Sequence, residues 1–158
     1  TGMLSRHAYS RKLDEMNVWE TLPEDMVVFM MDINGLKEAN DRLGHAAGDE
    51  LIVGVAGCIQ GVFDSIGECY RIGGDEFVAI VQTQEEQISS LCSHLMRRIS
   101  SWSGKLNSGA SLSYGYAKAR ENPEASFEKL ISIADQRMYD SKAVYYCTNG
   151  RDRRKPRP

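Results

Sequence analysis

The run Met26-Val27-Val28-Phe29-Met30-Met31-Asp32-Ile33 constrains the fold of this chain more than any other stretch. It is continuously apolar up to its single acid, and three of its residues, Val27, Val28 and Ile33, are β-branched. A run of that length bounded by turn residues reads as a buried strand rather than an amphipathic one. Such a strand needs neighbours to satisfy its backbone and helices to cover its side chains. Asp32 stands at its C-terminal end, just before a loop.

A second constraint is RIGGDEFVAI, residues 71–80. Gly73 and Gly74, followed by Asp75, lie between ECYRI (68–72) and EFVAIVQT (76–83). This pattern predicts a two-residue β-hairpin, because glycine accepts the positive φ that such turns require. Asp75 and Glu76 follow at once. Acids beside a turn are commonly no more than solvated, so their meaning depends on partners elsewhere.

The other elements follow from periodicity. Residues 5–19 have helical spacing, and 21–25 form a loop. Residues 34–50 hold a short helix and a glycine-punctuated turn, and 51–63 read as a helix despite their glycines. Residues 84–102 form an amphipathic helix, and 109–119 alternate as a strand. Ser126 is an N-cap, followed by a long helix over 127–146. The order α, β, α, α, β, β, α, β, α predicts an α+β fold, a mostly antiparallel central sheet flanked by helices.

Composition bounds the function. At 158 residues, 42% hydrophobic and 26% charged, the chain suits one domain with a real core. Its net charge is −3, yet residues 151–158 carry five basic residues and one acid, so the remainder stands at −7. That balance argues against a nucleic-acid domain. The expected division is a catalytic domain over 1–147 and a basic, frayed tail over 148–158. Cys58, Cys69, Cys92 and Cys147 show neither CxxC nor zinc spacing, which fits a reduced, cytoplasmic chain. No apolar run approaches the ~20 residues of a membrane span. The abrupt start without Met suggests a piece cut from something longer.

Asp32 and Asp75 lie at the ends of strands that can be neighbours. Two carboxylates with room for water are what Mg²⁺ takes, usually shared with substrate phosphates. Lys37 follows five residues after Asp32, and backbone N–H groups at a helix start there can meet phosphate. Singly, Asp32 also reads as a helix-capping acid and Lys37 as a solvated surface lysine.

Four ordered motifs add to this reading. DINGLKEANDRLGHAAGDE (32–50) and RIGGDEF (71–77) resemble the signature pair of the GGDEF family, the bacterial diguanylate cyclases. TGMLSR (1–6) is similar to that family's Thr-Gly-Leu-x-Asn-Arg stretch, with Ser5 where Asn is usual. ADQRMYDSK (134–142) resembles its closing Ala-Asp-x-x-x-Tyr-x-x-Lys helix. The resemblance runs from Thr1 to about Lys142. It implies a fold like the palm of adenylyl cyclases and polymerases. It also implies condensation of two GTP to cyclic di-GMP with release of two pyrophosphates, on two Mg²⁺ (or Mn²⁺) ions per site.

By position, the resemblance makes Asp32, Asp75 and the Ile33 carbonyl metal ligands. Gly35 and Leu36 offer backbone N–H groups to the phosphates, and Lys37 neutralises charge on the transferring phosphoryl group. Asn40 and Asp49 bond the guanine edge, with His45 lining that pocket. Asp75 or Glu76 assists removal of the 3′-hydroxyl proton, and Lys142 reaches the terminal phosphates. The resemblance further implies an N-terminal sensory domain outside this chain and a transient homodimer. It places the chain in the cytoplasm, free or as the cytoplasmic part of a membrane-bound sensor. A silent, GTP-holding regulatory domain is the alternative. Two departures stand out. Tyr146 occupies the place of a phosphate-binding arginine, so either Arg151 substitutes from a longer helix or that contact is missing. Asp64 and Gly67 replace the Arg-x-x-Asp product-inhibition motif.

Overall fold

The structure, a computed structural model, describes residues 1–149. Strand β1 (Met26–Ile33) is buried at every position, as its unbroken apolar run requires. It pairs antiparallel with β3 (Glu76–Gln82) on one side and with β4 (Leu112–Lys118) on the other. Strand β2 (Gly67–Arg71) pairs antiparallel with β3, so the sheet order is β2-β3-β1-β4. Leu4 bridges Tyr70 on the outer side of β2, which partly covers that edge.

Alternation along β1 divides the core in two. Val27, Phe29, Met31 and Ile33 pack with α3 (His45–Phe63) and α4 (Glu85–Ser101), through residues such as Val55, Ile59 and Leu95. Met26, Val28 and Met30 pack with α1 (Arg6–Met16) and α5 (Phe127–Thr148), through Tyr9, Met16, Leu130 and Ala134. Asp32 shares the parity of the second set, so its side chain belongs to the α5 face. Helix α2 (Leu36–Leu43) follows β1 directly and packs on α3. The result is the expected α+β architecture.

Helix α3 is long and apolar enough to cross a membrane by length and composition, but its apolar stripe is buried in the core.

Several boundaries differ from expectation. Helix α1 stops at Met16, with Asn17 as its cap, and leaves Val18 and Trp19 exposed. Helix α3 begins at His45, six residues earlier than expected. The turn before it is confined to Gly44, whose φ is +85°. Ser126 caps α5 as expected, accepting from the Lys129 N–H. Helix α5 runs on through Thr148, so the expected domain end at residue 147 falls inside it. The remainder of the basic tail, 150–158, lies outside the described residues. The hairpin is also wider than two residues. Residues 72–75 separate β2 from β3, and neither Gly73 nor Gly74 has a positive φ. The turn is closed instead by Ile72 N–H on the Glu76 carbonyl, 3.0 Å, and by Arg71 Nη2 on the Gly74 carbonyl, 2.9 Å.

Candidate active site

The C-terminal end of β1 collects the acids. In the antiparallel ladder Asp32 stands opposite Glu76. The next rung is closed by the Ile33 N–H donating to the Asp75 carbonyl, 2.9 Å. Asp32 and Glu76 therefore form a non-hydrogen-bonded pair, the kind in which opposed side chains lie closest. Like charges directly opposite one another are destabilising, so this geometry needs a cation.

One is supplied from α5. Lys142 Nζ donates to Asp32 Oδ1 at 2.6 Å. The Asp32 side chain is only 7% exposed and that of Lys142 is 26% exposed. Burial is the main influence on Asp32 and, despite Lys142, raises its pKa to about 6; Asp75 and Glu76 push the same way. Asp75 is half-buried and Glu76 exposed. Asp32 thus senses both of the other carboxylates at this end of the sheet.

The loop after β1 is fixed by a residue that sequence reasoning passed over. Asn34 is buried. Its Nδ2 donates to Ser111 Oγ at 3.0 Å, its Oδ1 accepts from Ser113 Oγ at 2.9 Å, and its N–H reaches the Ser111 carbonyl. Gly35 then turns the chain with φ +76° into α2, whose N-terminus has no side-chain cap. Gly35 and Leu36 therefore sit at the start of α2, beside the end of β1. Lys37 follows on that helix but points elsewhere. It is 70% exposed and pairs with Asp41 one turn on, at 2.6 Å.

The expected base-reading residues gather at the α2–α3 corner. Asn40 lies against Gly48, where an added Cβ would fall 2.0 Å from Asn40 Oδ1. Glycine there makes room for the amide. His45 and Asp49 occupy the first two turns of α3 at i and i+4, a spacing that shares a face, and both are exposed.

Glu50, next to Asp49, was also missed. Its carboxylate accepts the backbone N–H groups of Lys105, Leu106 and Asn107 at 2.6, 2.9 and 3.0 Å, and Asn107 Nδ2 at 2.9 Å. Those bonds, the Asn107 amide first, hold it below the usual carboxylate range. No local signal marks this role, because the donors lie more than fifty residues on.

Two other features bound the site. A groove of about 530 Å³ runs beside β4, lined by Tyr114, Tyr116, Arg137 and Ser141 among others. It contains none of the three clustered carboxylates, and Arg137 is engaged there on the Tyr116 carbonyl at 2.7 Å. At the start of β2, a Cβ on Gly67 would meet the Ile80 carbonyl at 2.1 Å. An aspartate cannot stand at Gly67 on this backbone.

A palm-like α+β sheet, the fold of nucleotidyl-cyclase domains, carries these acids and Lys142 at one strand end. The family model for the diguanylate cyclase GGDEF domain matches residues 1–145, and the chain belongs to the GGDEF family. It is 33% identical over 144 residues to the diguanylate cyclase DgcS of Shewanella oneidensis. That match covers 90% of this chain but 48% of DgcS, so the chain spans about half the length of that relative. Among solved structures, the FimX GGDEF domain from Pseudomonas aeruginosa superposes with a TM-score of 0.78 at 19% identity, covering 91% of both chains. The GGDEF domain of DgcB from Caulobacter crescentus, solved with c-di-GMP, gives 0.75 at 24% identity, covering 91% of this chain and 88% of that one. At these identities the two structures speak for the fold.

Proposed function

We propose that this chain is the catalytic domain of a diguanylate cyclase, condensing two GTP into cyclic di-GMP with release of two pyrophosphates. The observation that carries the reading is the convergence of Asp32, Asp75, Glu76 and Lys142 at the end of β1, beside the uncapped start of α2.

Among the described residues no three His, Cys, Asp or Glu side chains close a metal cage. Two carboxylates and a carbonyl form instead the sparse oxygen set that suits Mg²⁺ or Mn²⁺ shared with phosphates. Asp32, Asp75 and the Ile33 carbonyl would hold such ions, two per site. When bound, they stabilise charge on the attacking and leaving oxygens.

The chain's own residues do the rest. N–H groups of Gly35 and Leu36 receive phosphate oxygens at the helix start. Lys37, tethered among the described residues to its helix neighbour Asp41, turns to the transferring phosphoryl group. Asn40 and Asp49 take the guanine edge, where a carboxylate accepts both N1–H and N2–H, and His45 lines that pocket. The 3′-oxygen attacks the α-phosphorus of the other GTP, and the bond to the β-phosphate oxygen breaks. Pyrophosphate leaves, and the 3′-proton passes to Asp75 or Glu76.

Both guanylates must attack each other, so two copies face one another through a two-fold axis. Activity per molecule should then rise with protein concentration. Flat specific activity over a hundredfold dilution would refute a transient pair. Because Gly67 cannot become the acid of a product clamp, added cyclic di-GMP at micromolar levels should inhibit little. Inhibition by half or more would show another regulatory site. The direct test is incubation with GTP and Mg²⁺, followed by chromatography. Cyclic di-GMP supports the reading, whereas bound but unchanged GTP supports a silent regulatory domain.

A further inference from the structure

Lys142 and Lys37 are both lysines of the site end, and they are occupied differently. Lys37 is paired on the surface with its own helix neighbour. Lys142 crosses from α5 to β1 and meets a nearly buried carboxylate whose other close charges are both negative. Its ammonium holds Oδ1 of the residue that, in the functional reading above, takes a divalent cation.

We propose that Lys142 is an exchangeable counter-ion. It neutralises Asp32 while the cation is away and withdraws when the cation arrives. Binding of cation and nucleotide is therefore coupled. The proposal rests on the cyclase reading for its ligands and on the Asp32–Lys142 contact for its mechanism.

The argument is electrostatic. An ammonium 2.6 Å from Oδ1 and a divalent cation on the same carboxylate would be like charges a few ångströms apart, repelling strongly where water is scarce. One must leave. Lys142 is free to do so, because its side chain is a quarter exposed and its stem is flexible. Leaving is unfavourable without a new anion, since it exchanges a short, charge-assisted bond for water. Nucleotide phosphates, arriving beside the start of α2, provide that anion. Cation alone therefore binds against the lysine, and cation with nucleotide does not. Couplings of this type typically amount to 5–150-fold and are reciprocal.

The test uses Mn²⁺ without nucleotide, with the bound ion counted by electron paramagnetic resonance on the full chain. Lys142→Met should bind Mn²⁺ about tenfold more tightly than wild type, and Lys142→Arg should return to the weak wild-type value. Unchanged or weaker binding in Lys142→Met, with circular dichroism like wild type, overturns the exchange. A second measurement needs no variant. Saturating Mn²⁺ should raise acetylation of Lys142 relative to Lys37, read by mass spectrometry, and unchanged or reduced labelling overturns the proposal. Asp32→Asn separates the two layers. If it binds Mn²⁺ like wild type, the cation is not at Asp32 and the functional reading of the site fails. If it loses Mn²⁺ while Lys142→Met gains nothing, only the exchange fails.

Discussion

Asp32 and Glu50 are both carboxylates of the same domain, and their surroundings treat them in opposite ways. Glu50 receives three backbone N–H groups and one amide, which depress its pKa. Among the described residues Asp32 has one cationic partner, Lys142, and two acids for neighbours, and burial raises its pKa to about 6. Glu50 is complete within the protein and ties the 104–107 loop to α3. Asp32 is left short of partners at a strand end. Acids that the fold itself satisfies are structural, while acids held against their own ionisation are candidates for ligand chemistry.

The largest expected effect tests that division directly. Asp32→Asn and Asp75→Asn should each lower turnover of GTP at least about 100-fold, the scale on which a charge-stabilising group acts. Both changes are nearly isosteric, so circular dichroism should remain native. Glu50→Gln should do the reverse. It weakens the acceptor of four donors and lowers the melting temperature, but leaves turnover of the folded protein near wild type. Loss of turnover in a well-folded Glu50→Gln, with activity kept in Asp75→Asn, would invert the comparison.

Asp49 sharpens it further, because it stands beside Glu50 yet faces solvent. Its neighbour's bonds anchor this part of α3 to the 105–107 loop, so Asp49 is positioned on a fixed helix. A site built to bond a substrate group can reject an analogue lacking it by roughly 10⁴-fold. Asp49→Ser should erode the preference for GTP over ATP by some part of that factor, measured by competition between the two nucleotides. If competition is unchanged, Asp49 does not read the base and Asn40 is the next residue to test.

How much of this was legible depends on how far the cause lay from the residue. Strand β1 could be read residue for residue, because its unbroken apolar run admits few other fates. The order of elements followed from periodicity in the same way. The start of α3 could not be read, because Gly44 and Gly48 both look like turn residues. Only the first turns the chain; the second lies inside the helix and makes room for Asn40. The hairpin misled for a similar reason. Gly73 and Gly74 mark a turn, but its width is set by Arg71 and the Glu76 carbonyl. The strand-end positions of Asp32, Asp75 and Glu76 were legible from the apolar runs beside them. The Asn34–Ser111–Ser113 lock, the Glu50 nest and the Lys142–Asp32 pair were not, since each joins segments more than fifty residues apart.

The smallest expected effect is a difference in slope between the two acids as pH changes. Asp32 has a folded pKa of about 6 against an ordinary 3.8. Between those values the folded state binds more protons than the unfolded one, so stability falls as pH rises through that window. Above it the penalty is fully present. Discounted for the water that reaches the site mouth, it is on the order of 1–2 kcal/mol. Glu50 runs the other way. Its folded pKa is depressed below 4.5, so its contribution is present above that value and is lost as pH falls through the folded one. Denaturant unfolding of cation-free protein at several pH values separates the two. Asp32→Asn should be more stable than wild type at pH 7.5, with the advantage closing towards pH 4, where the wild-type carboxyl is itself largely protonated. Glu50→Gln should be less stable at neutral pH, with its deficit shrinking in acid. An Asp32→Asn advantage that instead grows towards acid would mean that Lys142 outweighs burial in the folded protein, and the contrast between the two carboxylates would disappear.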